Sequence, residues 1–124
     1  MIGLEKVTIP ILKSGEFLIT SPQVPLHDRL AVKYKDEILQ RIVETKAKGL
    51  VLDVSAIDIV DSFLVRQIGE IATAANIMGA QVVITGLRPD VAMTLVEMGF
   101  SLEKVHTARD LEKGMEILRQ AGRP

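Results

Sequence analysis

Residues 50–54 and 81–85 are two short apolar runs, Leu-Val-Leu-Asp-Val and Gln-Val-Val-Ile-Thr, with Asp53 the one charge in either. A strand with one wet face alternates apolar and polar residues. Runs that are apolar on successive positions suit strands buried on both faces. The stretch between these runs has helical periodicity. Strand, helix and strand in that order imply parallel neighbours joined by a right-handed crossover.

The helical segments are read from their spacing. Over residues 28–47, Leu30, Tyr34, Ile38 and Ile42 recur every fourth position, and Ala31, Leu39 and Val43 widen the stripe. Arg29, Lys33, Asp36, Glu37, Arg41 and Glu44 cover the opposite side, which predicts an amphipathic helix stopped by Gly49. Residues 62–78 place Leu64, Ile68, Ile71, Ala72 and Ala75 on one face and Arg66, Gln67, Glu70 and Thr73 on the other, up to Gly79. A third helix opens at Pro89, closes at Gly99 and buries Val91, Ala92, Leu95 and Val96. Thr107 and Asp110 have the spacing of a capping box for a last helix that buries Leu111, Met115 and Leu118.

At the other end, residues 7–12 and 17–20 are rich in β-branched residues and parted by Ser14-Gly15, the pattern of a hairpin. Pro22 and Pro25 make residues 21–25 a loop. The expected order is β-β-α-β-α-β-α-(β)-α. This is an α/β chain with a mixed, mainly parallel sheet flanked by about four helices, in a single domain over residues 1–124.

Composition narrows the function. The net charge is −1, no block of five like charges occurs, and there are three Phe and one Tyr. Neither a nucleic-acid arm nor a base-stacking platform is expected. No cysteine is present, which removes disulfides and thiolate chemistry. The longest charge-free run, residues 71–87, falls short of the ~20 residues of a spanning helix and contains Asn76, Gly79, Gln81 and Gly86. Glu5 and Lys6 interrupt the place where a signal peptide has its apolar core. The expectation is a soluble, cytoplasmic chain with no membrane contact.

Catalytic chemistry is not encoded in any familiar form. His27 and His106 belong to no metal-binding spacing, and no cysteine completes a site, so no metal or cofactor is expected. His27 reads as a cap or flank of the first helix, His106 as a strand-end residue. Gly86-Leu87-Arg88-Pro89 joins a strand to a helix; Arg88 there is a candidate anion contact, or a surface arginine on a tight turn.

Asp61-Ser62 opens the second helix. Ser62 is followed two positions on by Leu64 and preceded by Val60, so the strained Gly-x-Ser-x-Gly turn of a hydrolase is absent. Either residue can cap the helix. If Asp61 caps, Ser62 is a small hydroxyl with no structural role at the C-terminal end of a central strand, where open α/β sheets place functional sites. A phosphate there would add ~1.5–2 negative charges beside Asp58 and Asp61.

The residues Leu52-Asp53-Val54-Ser55 and Val60-Asp61-Ser62 resemble the signature of STAS domains, the family of bacterial anti-sigma-factor antagonists, and the predicted element order is similar to that fold over essentially the whole chain. Asp61-Ser62-Phe63-Leu64-Val65, the run from Val83 through Gly86-Leu87-Arg88-Pro89 to Ala92, and Thr94-Leu95-Val96-Glu97-Met98-Gly99 are similar to the stressosome branch of that family, in its short RsbS type. Simple antagonists of the family carry Gly two residues after the serine. Leu64 stands there in this chain, in keeping with the stressosome type.

The resemblance implies a non-enzymatic scaffold. Its partners would be RsbR-type STAS paralogues, further copies of itself in dimers and a large assembly, and an RsbT-type switch serine kinase held until phosphorylation releases it. Ser62 matches the phosphorylated serine, and Thr85 matches a position phosphorylated in RsbR-type relatives; otherwise Thr85 reads as a β-branched strand-end residue. Asp58 and Asp61 would shape the switch electrostatics, and Phe63 and Val65 either touch a partner or pack. Two alternatives stay open: a stand-alone antagonist that binds an anti-sigma kinase directly, and a nucleotide- or small-ligand-binding α/β domain using Arg88.

Overall fold

The strand that carries Asp53 lies at the centre of the sheet, and its C-terminal end defines one rim of the molecule. The computed structural model describes residues 9–59 and 61–121. In chain order the elements are β1 (Ile11–Ser14), β2 (Phe17–Thr20), α1 (Asp28–Thr45), β3 (Gly49–Asp53), α2 (Ser62–Ile77), β4 (Gln81–Thr85), α3 (Pro89–Glu97), β5 (Val105–Ala108) and α4 (Leu111–Ala121). The strands lie side by side in sequence order, β1 antiparallel to β2 and the rest parallel. The architecture is thus the mixed α/β sheet expected from the apolar runs. Residues 7–8 of the expected first strand lie outside the described residues.

Register sorts the side chains onto two faces, because successive strand residues point to opposite sides. Leu50 pairs with Leu18 and Val82, and Leu52 with Thr20 and Ile84. Leu18, Leu50, Leu52, Val82 and Ile84 form the main core with Leu30, Tyr34, Ile38 and Ile42 of α1 and Leu64, Ile68 and Ile71 of α2. Burying each Leu or Ile contributes roughly 1.5–3 kcal/mol. The intervening Val51 and Val83 point the other way and pack under Leu118 of α4. Val65 of α2 packs with Val91 and Leu95 of α3 in a third cluster.

Several expectations change once the neighbours are in place. Gly49 does not stop α1: the helix ends at Thr45, and Lys46 turns the chain with a left-handed φ of 53°. Gly49 is already in β3, where a Cβ would lie 2.8 Å from the Phe17 ring and 2.9 Å from Leu118, so the glycine lets α4 approach the sheet. Gln67 is buried, because α2 is flanked by α1 as well as α3 and has no broad wet face. Its Oε1 has no hydrogen-bond partner among the described residues. Val43, Val96 and Leu111 are exposed where burial was expected. Val43 and Val96 each sit one residue, about 100° of helix, beyond the buried Ile42 and Leu95. Leu111 is the first residue of α4, nearly a turn before the Gly114 that meets Thr85.

Candidate switch site at the strand ends

Asp61 and Ser62 divide the two roles that either could take. Asp61 is the N-cap of α2, with extended backbone at φ −130° and ψ 159°. Its Oδ1 accepts the Leu64 N–H at 2.8 Å, and its carbonyl accepts the Val65 N–H at 3.3 Å. Ser62 is the first helical residue, exposed, and takes no part in the cap. It stands where the helix start presents its unpaired N–H groups and its partial positive charge.

The neighbouring candidates are distributed around this point. Asp58 is exposed, with an Oδ1 4.0 Å from Arg88 Nη1. Arg88 is held chiefly by Asp90, through Nε to Oδ1 at 3.1 Å and Nη2 to Oδ2 at 2.7 Å. That pairing holds the Asp90 carboxyl below the usual carboxylate range. Arg88 is therefore already engaged by carboxylates and is poorly suited to capture a free anion. Phe63 is half-buried against the main core and borders an open groove with Arg29 and Val32 of α1. Val65 is buried against α3, so of the two readings offered for it, packing applies. Thr85 is fully buried, and its hydroxyl donates to Asp53 Oδ1 at 3.0 Å. A kinase reaches it only if that junction opens.

Asp53, in the sequence the one charge of an apolar run and part of the STAS signature, has a structural role that neither reading gave it. Its Oδ1 accepts the Ser55 hydroxyl at 2.8 Å, the Ser55 N–H at 3.1 Å and the Thr85 hydroxyl, while Oδ2 accepts the Ser21 hydroxyl at 3.0 Å. One carboxylate thus fastens the ends of β2, β3 and β4. Partial burial pushes its pKa upward. The hydrogen bonds from Ser55, Ser21 and Thr85 outweigh that and hold it below the usual carboxylate range. The available signal was an Asp closing an apolar strand with Ser two residues on, the pattern of an Asx turn. Beneath it, Tyr34 OH and Thr20 Oγ1 share a buried hydrogen bond of 2.6 Å. Burial pushes the Tyr34 hydroxyl far above the usual phenol range, against the opposing effect of that bond, and the Asp53 charge adds to the rise.

The histidines have local roles. His27 is the N-cap of α1, its Nδ1 3.4 Å from the Leu30 N–H. His106 lies in β5, 3.4 Å from Gln81 Oε1. Among the described residues no cluster of three or more His, Asp or Glu is placed to hold a metal ion. No helix there is long and apolar enough to cross a membrane.

The STAS domain family profile matches residues 8–114. The chain belongs to the STAS family. Among solved structures it is similar to a serine-to-glutamate form of RsbS from Moorella thermoacetica, at 37% identity and a TM-score of 0.83 over 95% of this chain and 100% of that one. A chain of the stressosome, described as a signal integration and transduction hub, matches at 38% identity and a TM-score of 0.73, covering 93% of this chain and 100% of that one. The RsbT co-antagonist protein RsbRA of Bacillus subtilis (strain 168) is 26% identical over 116 residues, 93% of this chain. This chain spans 42% of the length of that longer protein. These likenesses are to RsbS, to a chain of the stressosome and to an RsbT co-antagonist protein.

Proposed function

We propose that this STAS chain is a non-enzymatic, cytoplasmic scaffold of the stressosome that holds an RsbT-type serine kinase until Ser62 is phosphorylated. It self-associates and joins RsbR-type STAS paralogues, and the kinase leaves to act on a downstream partner. One observation carries the reading: Asp61 alone caps α2, so the exposed Ser62 beside it has no structural role.

The chemistry of the switch follows from charge. A serine hydroxyl is neutral and small enough to lie inside a partner interface. A phosphoserine carries ~1.5–2 negative charges, and removing it from water without a basic partner is costly. Asp61 beside it and Asp58 earlier in the same loop add like-charge repulsion, while the start of α2 favours the anion. The phosphate therefore leaves the fold intact and acts on the interface. A loss of ~2–3 kcal/mol in kinase affinity corresponds to roughly thirty- to over a hundred-fold weaker binding. Thr85 is a secondary acceptor at most, given its burial under Asp53 and α4.

The test is the affinity of the kinase for the chain before and after phosphorylation, by titration calorimetry. Weakening on that scale supports the proposal, and equal affinity for the two forms removes the switch. Tight binding of a nucleotide by the chain alone would favour the ligand-binding alternative.

A further inference from the structure

The end of β4 is fastened to the loop that leads to Ser62. The Val54 N–H donates to the Thr85 carbonyl at 2.9 Å, and the Thr85 hydroxyl to Asp53 Oδ1 at 3.0 Å. Gly86 lies so close to Ser55 that a Cβ on it would be 2.5 Å from the Ser55 Cβ. Ile59 and Leu87 pack against one apolar cluster, and Arg88 reaches toward Asp58. Among the donors on Asp53, Thr85 differs in kind. Ser55 is exposed and Ser21 half-exposed, so water can replace either. Thr85 is fully buried, so among these donors its hydroxyl is the one shielded from water.

We infer that the Thr85 hydroxyl, acting through Asp53, sets the conformation of the loop that presents Ser62, so that the end of β4 is a control point for that serine. This rests on the reading of Ser62 as a phosphoacceptor. Thr85 is a positioning residue here. Its methyl does something separate and meets α4 at Gly114, where a Cβ would lie 2.9 Å from Thr85 Cγ2. Substitution can part the hydroxyl from the methyl. Thr85→Val keeps the methyl contact and the β-branched shape but removes the donor. Thr85→Ser keeps the donor and removes the methyl.

Amide hydrogen exchange on the full chain reads the loop directly, with residues 50–52 of β3 as the reference. Thr85→Val should speed exchange over residues 55–59 by about tenfold relative to that reference, the loss expected for one hydrogen bond. Thr85→Ser should stay near wild type. With an RsbT-type kinase and ATP, the rate of Ser62 phosphorylation should change in Thr85→Val and be restored in Thr85→Ser. Unchanged loop exchange in Thr85→Val, greater loosening in Thr85→Ser, or equal Ser62 phosphorylation in both variants would overturn the inference. A wild-type chain that takes no phosphate on Ser62 overturns the functional reading instead, and the exchange pattern still decides whether Thr85 sets the loop.

Discussion

The Asp61 carboxylate accepts the Leu64 amide at 2.8 Å, bridging over a serine that the cap does not need. Asp61→Ala should therefore destabilise the fold by ~1 kcal/mol, the usual worth of an N-cap. Ser62→Ala should stay within about 0.5 kcal/mol of wild type, as exposed substitutions do. Urea unfolding of the two variants measures both. A larger loss for Ser62→Ala than for Asp61→Ala would return Ser62 to a capping role.

The hydrogen bonds on Asp53 should appear in the acid limb of stability. An unfolded Asp titrates near ~3.9. The folded Asp53 carboxyl titrates lower, so its bonds contribute fully above that pH and are lost as pH falls through the folded pKa. Asp53→Asn should lower the melting temperature most at pH 6–7, with the gap to wild type narrowing below about pH 4. Melting curves across that range decide it, and a gap that stays constant down to pH 3 contradicts the assignment.

Gly86 combines a φ of 75° with backbone contact to Ser55: a Cβ there would be 2.8 Å from Ser55 Cα and 2.9 Å from its N. Left-handed backbone costs an ordinary residue about 1–2 kcal/mol, and two of the atoms in the way belong to backbone rather than to the end of a flexible side chain. Gly86→Ala should lose at least ~2 kcal/mol by chemical denaturation. A loss under about 0.5 kcal/mol would show that the two segments are not held as closely as described.

The sheet is legible because its signals are local. The apolar runs at residues 50–54 and 81–85 name the central strands without any knowledge of their neighbours, and the four-residue spacing from Leu30 to Ile42 names α1. Gln67 is not legible, since polarity marks a wet face only when one exists, and α2 is flanked by two helices. Asp53 is hidden for a different reason. Ser21 and Thr85 each lie 32 residues from it in the chain, and only the parallel register brings their hydroxyls to its carboxylate. Ser62 is legible as an exposed helix start, whereas the choice between capping and modification needed the geometry of Asp61.

Assembly follows from the proposed role, because a scaffold without catalysis acts only through its surfaces. Size-exclusion chromatography with light scattering should show self-association of the chain and a larger species with an RsbR-type STAS partner. A strict monomer that ignores the partner would remove the stressosome role and leave the fold untouched.

Mapping the phosphate itself tests the central claim most directly. The chain is incubated with an RsbT-type kinase and ATP, and the phosphopeptides are sequenced by mass spectrometry. The expected result is stoichiometric phosphate on Ser62, abolished in a folded Ser62→Ala variant that retains the kinase. Stoichiometric phosphate on another residue, with Ser62 unmodified, would contradict the account.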